Sequence, residues 1–557
     1  MNNDEYLTNI FINALKKLFP NSEINFDDLD FAAFDIPKNP EHGDLSTNIC
    51  MRLAKPLQKN PRDLANEILK NLNFDKELIE EISLAGAGFI NIKFTTKYYQ
   101  NQLKEMSLKG NDYGKSFGQN DENKSKTVNV EYVSANPTGL LHLGHGRNAA
   151  IGDTLANLYE WTGWKVVREY YFNNAGNQMT NLTKSIYARM MQILKDENFP
   201  FPEDGYHGDY VKTIAEEIIA IHKDSLIQAT VKDFEVIKKF GEEWCFNKIK
   251  QTLKRMSIEQ DIFYNEDSLY EDGKIKQVLA EFAEKKLSYE KDGAIWLSLS
   301  KLGLEDDRVI VKSSGEPTYR LPDIAYHREK LLRGYDLVVD LFGADHIATV
   351  PDVLAGVKAL GFDAQKVKVV IHQFVTLTEN GEQVKMSKRT GKSYTLDELL
   401  DDVGEDIVRF FLIMRGVNTH LEFDLALAKE QNDKNPVFYL QYAHARISSI
   451  FEKIKEEKIN FSAANLELLT NPAEIKLIKH LMFFPSSIQL ASNKSEPQIL
   501  CEYLREVASA FHLFYHNCRI IGEDIELMKS RLFLANIAKI VIHNGLKILG
   551  ISRPEKM

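Results

Sequence analysis

Residues 127–147 read TVNVEYVSANPTGLLHLGHGR, and the reading of the whole chain turns on them. TVNVEYVS alternates β-branched and polar residues as a strand does, and a polar loop follows. From Gly146 onward, GRNAAIGDTLANLYEWTG carries helical periodicity, before WKVVREYYF, 164–172, reads as a second strand. This is a βαβ unit, and a ligand in such a unit binds where the first strand gives way to the helix. His142 and His145 are three apart in that turn, so both imidazoles project to one side. Gly144 and Gly146 let a phosphate or a flat base approach the backbone. Taken alone, H-x-x-H is more often an incidental pair of surface or core histidines.

Outward from this unit, DLVVDL at 336–341 and KVKVVIHQFVTL at 366–377 are further apolar runs with helical patterns around them. Strands alternating with helices predict a doubly wound parallel sheet, so the central fold class is α/β. Residues 185–300 are charged and mostly helical in pattern, as an insertion would be. Before the sheet, helical stretches surround DIPKNPEHGDLST and close on SLAGAGFINIKF, a Gly-rich turn with an alternating tail, which predicts a small α+β domain. LKGNDYGKSFGQNDENKSK lacks periodicity and sets a boundary near residue 118. After about 415 the pattern is helical throughout. The expected domains are therefore 1–117, 118–415 and 416–557, the last an α-helical bundle.

The 557 residues exceed what one core ordinarily supports. Apolar residues at 44% and charged residues at 27% fit a soluble folded protein, and no apolar run reaches the roughly 18 to 20 residues that span a bilayer. A cytoplasmic location without membrane contact is expected. Cys50, Cys245, Cys501 and Cys518 are scattered, which argues against disulfides and thiolate zinc; no metal ligand set is predicted. A net charge of -11 has the wrong sign for indiscriminate nucleic-acid coating, so any RNA contact must use local patches.

The second chemical element is KMSKRTGKS, 385–393, between the strand near 366 and the helix LDELLDDVGEDIVRFFLIM. Lys385, Lys388 and Arg389 are charges suited to phosphate, and Ser387 and Gly391 suit a loop that closes on ATP. H-L-G-H and K-M-S-K-R, about 240 residues apart in that order, resemble the signature pair of class I aminoacyl-tRNA synthetases. The resemblance implies a Rossmann-type domain that makes an aminoacyl-adenylate from ATP with Mg²⁺ and passes the acyl group to the 2′-hydroxyl of the terminal adenosine of tRNA.

Glu131, Ser134 and Asn136 lie just upstream, and Tyr319 and Asp323 fall four apart on a predicted helix. Two carboxylates and a phenol would suit a guanidinium, whose five donors form a planar fork. Equally, Asp323 is explained as a surface charge and Tyr319 as a packed aromatic. VEYVSANPTGLLHLGHGR, YRLPD and NPVFYLQYAHARI all resemble arginyl-tRNA synthetases. That match implies Glu131 and Asp323 against the guanidinium of L-arginine, Ser134 and Asn136 at its α-amino and carboxylate end, and Tyr319 in the pocket wall. It also implies Asp345 and His346 of G-A-D-H near ATP.

NNAGNQ, 173–178, borders the substrates or is a simple turn, and Asn174 departs from the Asp frequent in the family. GDLSTN, 43–48, resembles the family's tRNA-elbow domain, although helix capping by Asp44 or Ser46 explains it too. In the last domain Tyr439, Tyr442, His444 and Arg446 are candidates to touch the tRNA for arginine, or else core. The ending ISRPEKM resembles the family's usual last residues, so a complete chain, and a monomer, are expected.

Two rivals remain at this point. One is a class I synthetase for another amino acid, such as glutamate or cysteine. The other is a noncatalytic tRNA-binding paralogue, against which the intact His142, His145, Lys385 and Lys388 count. Lys388→Ala is predicted to lower adenylate formation by orders of magnitude with tRNA affinity almost unchanged; charging at near wild-type rate would remove the loop from the chemistry.

Overall fold

The computed structural model describes residues 3–26, 34, 35, 37, 39–116, 125–384, 394–457 and 459–557. The expected boundary near 118 and the whole of KMSKRTGKS lie outside the described residues. At the centre is a five-stranded sheet of β1 (Thr127–Glu131), β2 (Lys165–Phe172), β3 (Ile262–Asn265), β4 (Leu337–Gly343) and β5 (Val367–His372). All neighbours are parallel and the order is β5-β4-β1-β2-β3, a doubly wound arrangement whose direction reverses between β1 and β4.

Ten helices position the chemistry. The first, α1 (Leu143–Trp161), crosses from β1 to β2. The region between β2 and β3 holds α2 (Gly176–Leu194), α3 (Asp209–His222) and α4 (Val231–Arg255). Then come α5 (Arg320–Leu332), α6 (Leu396–Val403) and α7 (Glu405–Ile413), followed in the terminal bundle by α8 (Pro436–Ile454), α9 (Gln498–Asn517) and α10 (Ile525–Ile548). Helices α2 to α4 bury their own apolar cluster around Leu182, Ile214 and Ile237. A far larger core runs continuously from the N-terminal block, under α1, into the bundle.

Two expectations need correction. The stretch 185–300 is mostly helical but not only an insertion: it contains β3, which extends the parallel sheet, and a hairpin, Ser288–Lys291 with Ala294–Leu297. All four residues of β3 are half-buried, so no in-out period exists to mark them in sequence. The run KVKVVIHQFVTL is not one strand either. It breaks after His372, and Val375–Glu379 joins a separate three-stranded sheet. The break is satisfied by Arg147 of α1, whose guanidinium donates to the Gln373 carbonyl at 2.8 Å.

The N-terminal block is a four-stranded antiparallel sheet with helices, as expected. Neither Asp44 nor Ser46 caps a helix. Ser46 lies in the strand Leu45–Thr47, and Asp44 accepts from the Phe94 amide at 2.6 Å and pairs with Lys479 of the terminal bundle. Gly43 before it has φ +86°, and a Cβ there would meet the Ile92 carbonyl oxygen at 2.7 Å, so the position demands glycine.

Arg409 of α7 joins four segments. It is 1% exposed and donates to the Leu549 carbonyl at 2.6 Å, to the Met256 carbonyl at 2.8 Å and to the carboxylate of Asp153 on α1. Removing one member of a buried pair strands the other charge, at a cost of roughly 3–5 kcal/mol. Arg409→Ala should therefore lower the urea midpoint markedly, and Arg409→Met with Asp153→Leu should recover part of the loss. A single variant unfolding at the wild-type midpoint would contradict this.

Candidate active site

The reversal of strand order between β1 and β4 leaves a crevice at their carboxyl ends, and the loop 132–142 occupies it. Its backbone is strained at the outset: Val133 has φ +70° and Ser134 φ +44°, conformations a β-branched residue rarely adopts. Asn148 of α1 holds it there. The side-chain oxygen accepts from the Val133 amide at 2.6 Å, while the amide group donates to the Leu341 carbonyl of β4 at 2.9 Å. Ser134 donates to Glu131 at 2.9 Å and accepts from the Tyr171 amide at 3.1 Å. Asn136 accepts from the Asn173 amide at 2.9 Å and donates to Gln178 at 2.8 Å, which ties β2 and α2 to the same loop.

The two histidines are placed by helix capping. His142 is the N-cap of α1; its Nδ1 accepts from the amides of Gly144 at 3.1 Å and His145 at 3.4 Å, and His145 Nδ1 accepts from the His142 amide at 3.3 Å. The rings stack, centroids 3.7 Å apart. With both Nδ1 atoms accepting, each neutral ring carries its proton on Nε2. Burial lowers the pKa of His142, and burial with the rings of His142 and His372 lowers that of His145 to about 3. At neutral pH the pair offers two N–H donors without charge. Gly144 leaves room for the His142 ring. Gly146 faces Leu396, 2.7 Å from where a Cβ would stand, so its smallness serves the packing of α6 on α1 rather than open access for a ligand.

Behind the crevice lies a buried charge network. Lys330 of α5, fully buried, pairs with Glu131 of β1 and with Asp340 of β4, the latter at 2.5 Å. His327 Nε2 donates to the Asp340 carboxylate at 2.8 Å. Burial would raise the Asp340 carboxyl, yet Lys330 and His327 hold it well below the usual range. Glu131 is thus already matched by Lys330 and Ser134. Asp323, one turn from His327, makes no ion pair or hydrogen bond through its carboxylate among the described residues. Burial raises it to about 6, the fields of Glu131 and Glu266 adding and that of His327 opposing. Glu266 accepts from the Tyr171 hydroxyl at 2.7 Å and is itself raised by burial. The site is therefore short of one cation beside Asp323.

The other candidates scatter. Tyr319 is the N-cap of α5 and 88% exposed, so its ring is not a packed aromatic. Asp345 and His346 are exposed in a short turn, Ala344–His346, at the end of β4. Lys385, Ser387, Lys388, Arg389 and Gly391 lie outside the described residues, but the helix after them is locked to the histidine loop: Leu396 donates to the Leu141 carbonyl at 2.8 Å, and His142 bridges Thr395. Asn174 donates to Glu242 of α4 at 2.7 Å. On α8, Tyr439 lies 4.7 Å from the His512 ring, and the Arg446 guanidinium lies over Tyr442 and Tyr515 at 4.3 and 4.8 Å. His444 is buried and contacts the Pro554 carbonyl at 2.9 Å.

Asn148, Lys330 and Glu266 were not singled out from sequence. Only Lys330 left a trace there, as a lysine seven residues beyond Asp323 on the same helix face.

Residues 5–94 match the arginyl tRNA synthetase N terminal domain, residues 109–413 the catalytic domain of class I (R) tRNA synthetases, and residues 440–557 the DALR anticodon binding domain. The catalytic domain is thus that of a class I synthetase. Similar proteins include the arginine–tRNA ligase of Salinibacter ruber, 46% identical over 543 residues covering 94% of this chain and 95% of that one. Another is its namesake from Desulfotalea psychrophila, 46% identical over 526 residues and 94% of each chain. Among solved structures, a putative arginyl-tRNA synthetase from Campylobacter jejuni is 31% identical, with TM-score 0.77 over 83% of this chain and all of that one. The Thermus thermophilus arginyl-tRNA synthetase, 21% identical, shares the fold over both full lengths with TM-score 0.78. The chain belongs to the arginyl-tRNA synthetase family.

A carboxyl raised to about 6 holds its proton more tightly folded than unfolded, so this group's contribution to stability falls as pH rises from about 4 through 6. Asp323→Asn should consequently stabilise the ligand-free protein at pH 7, by roughly 1–3 kcal/mol, while arginine affinity collapses. In the wild type the KM for arginine should climb as pH drops below about 6. Thermal melts and KM measurements across pH 5–8 test both; a variant that melts lower and still binds arginine would reverse the assignment.

Proposed function

We propose that the protein is an arginine–tRNA ligase that activates L-arginine with ATP and transfers it to the 2′-hydroxyl of the terminal adenosine of its tRNA for use in translation. What carries the reading is Asp323, a buried carboxylate with no counter-ion among the described residues, in the field of Glu131 at the switch point of the sheet, in a chain of this family. An arriving guanidinium supplies the missing cation, with Glu131, already held by Lys330, shaping the field from β1 and Tyr319 closing over the entrance. Ser134 and Asn136 hold the α-amino and carboxylate end. A carboxylate oxygen of arginine attacks the α-phosphorus, diphosphate leaves, and the 2′-hydroxyl then attacks the acyl carbon with release of AMP.

His142 and His145 donate Nε2–H to phosphate oxygens, adding no charge in the ground state. Lys385 and Lys388, with Ser387, bring charge as the pentacovalent phosphorus forms. Gly144, Asp345 and His346 line the nucleotide end, while Gly146 lets α6 pack closely on α1. Mg²⁺, where bound, would come with the triphosphate and offset its charge. The neighbouring buried carboxylates Glu131 and Asp340 are committed to Lys330, which suits a metal carried by the substrate rather than caged by the chain.

We assign residues 1–117 to the tRNA elbow, 118–415 to catalysis and 416–557 to the anticodon. Tyr439, Tyr442 and Arg446 offer half-buried rings and a guanidinium for splayed bases. The protein is read as a cytoplasmic monomer, in keeping with the family's work in translation; among the described residues no helix is long and apolar enough to cross a membrane.

ATP–pyrophosphate exchange with each of the twenty amino acids, with and without total tRNA, tests the reading. Exchange with arginine alone, dependent on tRNA, is expected. Exchange with another amino acid would move the pocket assignment, and none at all would leave a noncatalytic tRNA binder.

A further inference from the structure

His327 of α5 is 4% exposed, and both of its ring nitrogens face an oxygen. Nε2 lies 2.8 Å from a carboxylate oxygen of Asp340 on β4, and Nδ1 lies 2.7 Å from the carbonyl oxygen of Asp323, one turn earlier on the same helix. A peptide carbonyl has no proton to give, so Nδ1 is the donor in its contact. A neutral ring has only one N–H. If that proton is spent on the carbonyl, Nε2 must receive one from Asp340, whose other oxygen already accepts from the Lys330 ammonium at 2.5 Å. A carboxylate held by an ammonium gives up its proton readily. The arrangement therefore calls for N–H on both sides of the ring, an imidazolium opposite an ionised Asp340.

Charges then balance behind the crevice, with Lys330 and His327 set against Glu131 and Asp340. Buried ions persist where they are paired and hydrogen-bonded, and this ring is both. Burial and the Lys330 ammonium oppose its charge, Asp340 from β4 and the Asp323 carbonyl favour it, and the balance raises its pKa above the ordinary histidine value. Glu131 of β1 feels the same positive charge.

The consequence falls on Asp323. Burial favours its protonated form, His327 opposes this with the largest of the charge effects, Glu131 and Glu266 side with burial, and the exposed His346 sides with His327. The phenols of Tyr171 and Tyr270, which also feel Asp323, are raised above their ordinary range and stay neutral. The ring meets Asp323 only at the backbone carbonyl, so it supplies a field without occupying the carboxylate. We propose that His327 is a buried imidazolium that keeps Asp323 ionised for an incoming guanidinium, which makes it a positioning residue for arginine. This rests on the reading of Asp323 as the arginine carboxylate.

Ring ¹⁵N spectra of histidine-labelled protein test the charge, with His327 assigned as the signal lost in His327→Gln and His327→Asn. Both nitrogens of the wild-type ring should carry protons at pH 7. The Gln variant keeps a donor for Asp340 and the Asn variant one for the Asp323 carbonyl, each without the charge. In ATP–pyrophosphate exchange with tRNA, either should raise the KM for arginine about two- to tenfold at pH 7, as a carboxyl moved up by roughly one or two pH units from about 6 requires. The ratio to wild type should fall to about one by pH 9, because alkali ionises Asp323 without help. A single proton on the wild-type ring, a raised KM whose ratio is the same at every pH, as lost packing alone would give, or an unchanged KM throughout would overturn the proposal. Failure of the underlying reading would show separately, as Asp323→Asn with the wild-type KM for arginine beside a doubly protonated ring.

Discussion

Lys330 sits fully buried between two carboxylates from different strands, Glu131 of β1 and Asp340 of β4, with Tyr326 beneath its ammonium at 4.3 Å. Those are the two strands between which the strand order reverses, and Glu131 and Asp340 are register partners, so this one cation neutralises the two acids at the last paired position before the crevice. Neighbouring Glu169 is matched separately, by a two-pronged contact from Arg333 at 2.8 Å and by Tyr326 and Asn129. With these acids satisfied, Asp323 and Glu266 are left without a cation among the described residues, and Glu266 is offset by the Tyr171 hydroxyl. The unmet demand for a cation is thereby greatest at Asp323 rather than spread over a generally acidic pocket. That is what lets a site prefer a guanidinium over shorter or neutral side chains, because a competitor leaves the demand unmet.

Helix α1 transmits this order outward. His142 caps it, Arg147 closes the break after β5, Asn148 fixes the strained turn at Val133, and Asp153 receives Arg409 from α7. Successive residues of one buried helix thus tie the substrate loop, the far edge of the sheet and the terminal bundle to a single frame. The strain at Val133 and Ser134 is tolerable because three independent hydrogen bonds hold that turn, and the turn in exchange aims Ser134 and Asn136 into the crevice.

Much of this was legible in the sequence, for identifiable reasons. The β1–loop–α1–β2 unit has strong period-2 and period-3.6 signals separated by glycines, and the small N-terminal hairpin is marked by its Gly-rich turn. What escaped was short or relational. The four residues of β3 carry no alternation, and the break at Gln373 depends on an arginine 226 residues away. Lys330, the partner of Glu131, escaped because it is distant in sequence and looks like any helix lysine. Gly146 read as an opening for a ligand, whereas its neighbour is Leu396.

The same relational logic accounts for the histidines. A three-residue spacing suggests two side chains on one helical face, but His142 is outside the helix, extended at φ −109° and ψ 176°, and faces His145 only through the reciprocal cap. The cap spends both Nδ1 lone pairs on backbone amides and thereby fixes the tautomer that a phosphate requires. Burial then keeps both rings uncharged. In the proposed function, two permanent cations at this point would hold the triphosphate in its ground state as tightly as in the transition state, which binds substrate without accelerating the reaction. Neutral donors there would leave the charge to Lys385 and Lys388. The backbone bond from the Leu396 amide to the Leu141 carbonyl sets the start of α6 beside the histidines.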